Sequence, residues 1–583
     1  MSPYKGLPLA LQYPGAGHVR TYYSPFSRVD VFRSPAARFA PGLSLKYLHP
    51  LPEQLGISLD GGELNALTRA DRGKAPEFLG FLPSALPYEM GTRESVLVLD
   101  PRGGLQVLMA RYYGVRDIFS VESNPVLLEA IRNDFREFSG GIYDTHSWEG
   151  LGRSWLRARK ATFDLIDIPM TGTSLSGSFG ISEDYRFTVE AFKVYLGHLS
   201  AQGVLSIHLF ILPPPRVDLR IMSTLVTAME EMGIRDIPAK IASIRSWGSV
   251  VIVAKITSLT PEEIDAVRRF SRTRRFDLNV LPGIGDGETN VYVRSESEEY
   301  ATSFRNLLDP ATHDTFLQHY LFDIRPVRDD NPFFHYYLRI GNLGEIYRTM
   351  GGKWQYFIEE GYLLPVVFVQ GVVLSILLIS LPAMRKLKTG AEAKGEDKPV
   401  SIPALLYFAF LGLGFMFVEV PLIQKMILPL ENPSYAVTAV LTSVLIASGA
   451  GSLLSHRVRV LQGRFVLILI PVLVGVYGML VPAFSELIAP SPIEVKALLV
   501  FAFLLPLGIP MGIPFPLGMR NLGRKAPNLI PWAWAVNGCT SVLAPIMTVM
   551  LAMTVGFQTV MWTAAAAYLL AFLAFPVIRE LQE

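Results

Sequence analysis

The strongest chemical signal in the chain lies between residues 100 and 122. Asp100-Pro-Arg-Gly-Gly follows the apolar run Ser95–Leu99, and Glu122 follows a second run, Asp117–Val121. Glycines such as Gly103 and Gly104 let a backbone come close to a ligand. An acid about 20 residues later, at the next strand end, can accept both hydroxyls of a ribose. Asp100, Gly103, Gly104 and Glu122 are therefore candidate nucleoside-binding residues. A helix cap and a solvated strand end would use the same residue types, and the spacing alone leaves both readings open.

Other reactive side chains are more scattered. Glu419 stands at the end of an apolar run, in Phe-Met-Phe-Val-Glu-Val-Pro. An ionisable residue inside a membrane span is a candidate functional site, while a place at the interface near Lys425 explains it equally well. Pro506, Pro510, Pro514 and Pro516, with Gly508, Gly512 and Gly518, predict a kinked or discontinuous helix. Asp329-Asp330-Asn331 could hold a cation or form a turn. Arg268, Arg269, Arg272, Arg274 and Arg275 suit a solvated helix face or anionic headgroups. His146, His198, His208 and His335 have no metal-ligand spacing, so no metal is expected. The single cysteine, Cys539, excludes an intrachain disulfide and any multi-cysteine cluster.

The elements that must position these residues fall into two halves. Residues 95–255 alternate strand and helix, with strands at 95–99, 117–121, 163–168, 203–210 and 249–255. The pattern predicts a mostly parallel sheet of seven strands, with helices on both faces, one of them over 183–200, and ligands beyond the strand carboxyl ends. From Tyr362 onward seven apolar runs follow: Tyr362–Ala383, Ile402–Val420, Ser434–Leu454, Phe465–Phe484, Ala497–Gly518, Trp532–Val555 and Thr559–Val577. Half of all residues are hydrophobic, and the mean hydropathy of +0.33 is high for a purely soluble chain. The net charge of +2 gives no reason to expect a nucleic-acid partner. Four segments are expected: a β-rich domain over 1–90, the α/β domain over 91–260, a helical linker region over 261–361 and a membrane domain of about seven helices over 362–583.

Sidedness is contradictory. Arg385, Lys386, Lys388, Lys394 and Lys398 follow the first run, Arg457, Arg459 and Arg464 the third, and Arg520, Arg524 and Lys525 the fifth. The positive-inside rule then places the head outside. Yet residues 1–6 do not begin a signal peptide. The expectation adopted is an integral protein of a bacterial inner membrane with a cytoplasmic head, because the head's fold suggests a cytosolic ligand.

Several motifs resemble the spermidine synthase family: Val96–Gly104, Val-Glu-Ser-Asn-Pro (121–125), Phe-Asp-Leu-Ile-Asp (163–167) and Ser-Glu-Asp-Tyr-Arg-Phe-Thr-Val-Glu-Ala-Phe (182–192). More closely, the chain resembles that family's membrane-fused bacterial relatives. There the likeness extends to Ser-Pro-Phe-Ser-Arg-Val-Asp (24–30), Arg-Asp-Asp-Asn-Pro-Phe-Phe-His (328–335), Pro-Leu-Ile-Gln-Lys (421–425), Pro-Phe-Pro-Leu-Gly-Met-Arg (514–520) and Trp-Ala-Trp-Ala-Val-Asn-Gly (532–538). The resemblance implies an α/β, Rossmann-like class I methyltransferase fold with a small N-terminal β domain. It implies S-adenosylmethionine or its decarboxylated form as cofactor, and Glu122 as the ribose-binding acid. The family's adenine-side acid falls near Leu151, with Glu149 the nearest carboxylate. Its catalytic Asp falls on Pro169, which leaves Asp167 and Asp164 as the candidate bases. Its amine-holding Tyr-His-Glu motif falls in the largely apolar stretch Pro76–Pro87.

These departures bear on the chemistry. A cationic amine must lose a proton before it can attack, which calls for a positioned carboxylate. True spermidine synthase activity is therefore not expected. The expected function is an S-adenosyl-dependent transferase with a divergent site. The alternatives are a catalytically degenerate structural or regulatory subunit of a membrane complex, and a transporter-like protein. The expected partners are the lipid bilayer and another membrane subunit.

Overall fold

The structure is a computed structural model. It describes residues 5–580 apart from 26, 72–74, 145, 171–182, 286, 295–297, 350, 352–362 and 381–401. The loop charges at 385–398 thus lie outside the described residues. The chain forms two compact units, Met1–Gly361, here the head, and Tyr362–Glu583.

The head begins with an antiparallel meander: β1 (Gly17–Tyr23), β2 (Arg28–Arg33), β3 (Gln54–Leu59) and β4 (Glu63–Thr68), paired in that order. The main sheet contains β5 (Ser95–Leu99), β6 (Asp117–Glu122), β7 (Ser147–Glu149), β8 (Phe163–Ile168), β9 (Leu199–Phe210), β10 (Ile241–Arg245), β11 (Ser249–Ala254) and β12 (Asp277–Val280). Their spatial order is β12-β10-β11-β9-β8-β5-β6-β7. From β7 to β9 every pairing is parallel. β11 runs antiparallel to β9 and β10 antiparallel to β11. The parallel half, centred on β5, has the strand order of a doubly wound nucleotide-binding sheet. The fold is Rossmann-type with a mixed sheet.

Two expectations change here. The sequence predicts a sheet of seven strands, but β12 adds an eighth by pairing with β10. β12 comes from the segment expected to be a helical linker. Its Asp-Leu-Asn-Val sequence has too few apolar residues to announce a strand, and all four residues are buried once it pairs. The helix expected over 183–200 is also shorter. Thr188 caps it by accepting the amide of Ala191, and it runs only over Val189–Gly197.

Strand register decides which side chains share a face. Val98 pairs with Asp167, and Asp167 with Ser206. That face also carries Ser120 and the buried His208, and its apolar residues Val96, Leu165, Val204 and Val251 pack under Phe78, Leu82, Leu86 and Tyr88. The Pro76–Pro87 stretch therefore serves as a lid on the core.

In the second unit, six helices are long and apolar enough to cross a membrane: Ile402–Lys425, Pro433–Arg457, Gln462–Ile488, Ile493–Arg524, Pro527–Val555 and Phe557–Phe575. The first expected span is represented by a shorter apolar helix, Leu363–Leu378. Large apolar side chains such as Leu445, Leu453, Val472, Met479 and Leu498 remain exposed on the unit's surface. Leaving so many in water would be costly. The proline- and glycine-rich fifth run is interrupted after Met511 and resumes at Pro514, the discontinuity that its breakers predict.

Candidate functional site

The loop after β5 is built on two strained residues. Asp100 and Arg102 both have positive φ, at 52° and 53°, a region that side chains other than glycine seldom occupy. The turn directs Arg102 inward across the carboxyl ends of β5 and β6. Its guanidinium meets the Glu122 carboxylate through Nη1. The Arg102 backbone amide donates to Glu122 Oε2 at 3.0 Å, and the Asn124 amide donates to Oε1 at 2.9 Å. Arg102 Nε reaches Glu63 Oε1 on β4 at 3.1 Å, and its Nη1 reaches Ser123 Oγ at 3.2 Å. The Tyr143 hydroxyl donates to the Arg102 carbonyl at 2.6 Å.

Both oxygens of Glu122 are thus engaged, and the side chain is only 1% exposed. Burial pushes its carboxyl above the usual range, opposed by Arg102 and the two amides. The adjacent carboxylates hold the arginine firmly charged despite its burial. The carboxylate that the sequence offers to a ribose is held by the chain's own arginine.

The glycines also face protein. A Cβ on Gly103 would collide with the carbonyl of Ala66 on β4, and one on Gly104 with Ile142. Gly104 also has a φ of +75°. Both residues permit close packing of the chain against itself. Asp100 accepts the Ser123 amide at 2.9 Å and lies 3.7 Å from Arg186, which is paired with Asp184. Glu149 is in register with Glu122 at the end of β7 and is exposed to solvent.

The two candidate bases lie elsewhere. Asp164 stands near the amino end of β8, away from Glu122. It accepts the amides of Glu94 and Ser95, each at 3.1 Å, and the Ser200 hydroxyl at 2.7 Å. Burial opposes its charge, but these donors hold its carboxyl below the usual range. It ties the starts of β5, β8 and β9 together and is not placed to act as a base at the strand ends.

Asp167 is fully buried on the apolar face of β8. No hydrogen bond of regular geometry reaches either oxygen. Burial pushes its carboxyl up to about 7, with Ser206 the neighbour that opposes the shift. Pro169 follows, and the rest of the loop, 171–182, lies outside the described residues.

Asp329, a candidate cation ligand, instead takes both ends of the Arg153 guanidinium, at 2.6 and 2.5 Å, and the Thr188 hydroxyl at 2.7 Å. Among the described residues no cluster of three or more His, Cys, Asp or Glu could hold a metal. An open cleft of about 720 Å³ lies against β7, lined by Arg132, Tyr143, His146 and Trp148 among others. Tyr143, which bonds to the Arg102 carbonyl, is shared between this cleft and the Glu122 cluster.

Sequence reasoning missed Arg102, Glu63 and Arg186. The one available signal was the arginine itself, a cation placed in the loop that faces an expected acid.

No family model and no curated protein matches the chain. Solved structures do. A spermidine synthase in complex with the transition state analogue AdoDATO is 17% identical, covering 45% of this chain and 80% of that one, with a TM-score of 0.28. Spermidine synthase from Thermotoga maritima is 16% identical over 52% and 87%, with a TM-score of 0.29. A probable spermidine synthase from Corynebacterium glutamicum is 14% identical over 50% and 94%, with a TM-score of 0.31. The fold assignment stands on strand order and register.

Proposed function

We propose that this is a membrane-anchored protein whose spermidine synthase-like head works as a structural or regulatory module with its nucleoside position closed. The single observation that carries this reading is the Glu122 carboxylate, whose two oxygens are taken by Arg102 and two backbone amides. A ribose would have to displace a charge-assisted contact in a buried setting, and such contacts are among the strongest available. Pro169 supplies no base, and Asp164 is committed at the other end of its strand. The apolar helices provide the bilayer anchor, and another membrane subunit is the natural partner for a non-catalytic head.

Calorimetry of detergent-purified protein tests this. S-adenosylmethionine, decarboxylated S-adenosylmethionine and methylthioadenosine should give no binding heat with the native chain at concentrations of about 100 μM, well above the dissociation constants of tight sites. Tight binding of any of them would defeat the reading.

One observation favours a second reading, a transferase acting on an apolar or membrane-associated acceptor. Asp167 has a carboxyl that changes charge near neutral pH, as general bases do. It would need Arg102 to swing away and substrate to reach the fully buried Asp167. Turnover of decarboxylated S-adenosylmethionine and putrescine to spermidine and methylthioadenosine, followed by mass spectrometry, separates the two readings.

A further inference from the structure

The helical unit contains a carboxyl that the head's chemistry does not use. Glu419 lies near the end of helix Ile402–Lys425 and is 5% exposed. Its Oε1 is buried with no hydrogen-bond partner, and no ion pair reaches it among the described residues. Lys425 is six residues further along the same helix.

Its surroundings can be built from register. Helix Ile402–Lys425 packs parallel to helix Ile530–Val555. Asn537 Nδ2 donates to the Phe408 carbonyl at 2.9 Å, with the two residues 129 apart in sequence. A Cβ on Gly412 would meet Thr540 Oγ1 first, then the Asn537 carbonyl at 2.8 Å and Ser541 Oγ at 2.9 Å. Thr548 lies further along the same helix, beyond Pro545. Thr548 is fully buried, and its Oγ1 also lacks a partner.

On the other side, Phe557–Glu580 packs closely, with Gly414 against the Tyr568 ring, and the Tyr568 phenol is electrostatically coupled to Glu419. Pro421 has no amide hydrogen to give the Phe417 carbonyl one turn back. The Glu419 carboxyl and a freed carbonyl therefore lie on one helix beside the Tyr568 phenol, with the unpartnered Thr548 hydroxyl on the neighbouring helix. Of the titratable groups on the packed helices, Tyr568 faces Glu419. Cys539 is nine residues from Thr548, Tyr435 stands in the first turn of Pro433–Leu454, and Arg520 is engaged by the Ser455 and Val458 carbonyls.

We propose that Glu419 is a proton-binding site inside the helical unit. Among the described residues the surroundings offer oxygens and no cationic partner, so a negative charge on the buried carboxyl would stand uncompensated until water reached it. The inference rests on the helical unit lying in a bilayer and is independent of what the head binds.

The test is modification of the native protein in its membrane with N,N′-dicyclohexylcarbodiimide. The protonated carboxyl gives its proton to a carbodiimide nitrogen, and its oxygen adds to the central carbon. The adduct then rearranges to a stable N-acylurea, which is located by peptide mass spectrometry. Label should appear at Glu419 and fall at least about fivefold between about pH 6 and pH 9, as a titrating acid requires. It should be indifferent to sodium, and a water-soluble carbodiimide should leave Glu419 unmodified.

Protection by sodium at constant pH would overturn the proposal in favour of a metal-cation site. Absence of label at Glu419 while other carboxyls react would also overturn it. Equal labelling by the water-soluble reagent would show instead that the helix is not in the bilayer. Because the native chain is mapped, the result does not depend on a Glu419→Gln protein folding. Where that variant does fold, it should lose this label alone.

Discussion

Glu122 and Asp167 lie two strands apart in the same sheet, both out of solvent, and they are treated in opposite ways. At the strand ends Glu122 is surrounded by donors: a guanidinium and two amides. In the middle of the sheet Asp167 meets valines, a tyrosine ring and one serine. Burial raises both carboxyls, and the difference teaches where a buried acid finds donors. Strand ends expose amides that point at an acid, whereas the sheet interior has spent its amides on the ladder. An acid placed there must bring its own partner or hold a proton.

Removing the partner at the first position should have the largest effect. Arg102→Ala leaves the Glu122 charge buried and should cost about 3–5 kcal/mol of head stability. Urea unfolding, followed by the fluorescence of Trp148 and Trp155, measures it. A loss below about 1 kcal/mol, the scale of an exposed pair, would mean that water already solvates the pair.

The second position should respond with the opposite sign. Asp167→Val removes an acid that the fold does not satisfy. The folded carboxyl titrates at about 7, above its unfolded value. The folded state therefore holds the proton more tightly, and the native protein loses stability as pH rises between those two values. The variant should match the native protein near pH 4 and exceed it by about 2–4 kcal/mol above pH 7. Equal stabilities at pH 8 would mean that Asp167 has a partner when charged.

Asp164 sharpens the comparison, because it is an acid on the same strand that does have donors. Asp164→Ala should cost about 2 kcal/mol, the scale of hydrogen bonds to a charged group. Its carboxyl is held below the usual range, so its contribution is present at neutral pH. That contribution is lost as pH falls through the folded value. Glu149→Gln should change stability by less than about 0.5 kcal/mol, as exposed substitutions do. A larger loss would tie Glu149 to the Glu122 cluster.

The parts of this architecture legible in the sequence were those written in long apolar runs. Ser95–Leu99 and Phe163–Ile168 are strands over the residues that their composition indicates, and six of the seven apolar runs correspond to long helices. β10 and β12 were not legible. Each is short and partly polar, and becomes a strand because a neighbour supplies a ladder. The candidate site was legible as a set of positions and not as an arrangement. Spacing places Glu122 at a strand end. It cannot indicate that two left-handed residues turn Arg102 into that end, because the turn depends on contacts with Glu63 and Tyr143, tens of residues away in sequence.

Arg102 bonds to Glu122 and to Glu63 at once, so the small sheet and the proposed nucleoside position share one side chain. Any occupant of that position competes with an internal ligand that is always present. If the arginine is away in about one molecule in a hundred, the occupant's apparent affinity falls about a hundredfold. Reciprocity then works in the other direction. Whatever draws β4 from the loop weakens the internal competitor, and raises the occupant's affinity by the factor by which the occupant loosens β4. On the reading proposed above, the N-terminal meander is an effector of that position, and its docking energy sets the threshold that an incoming molecule must exceed.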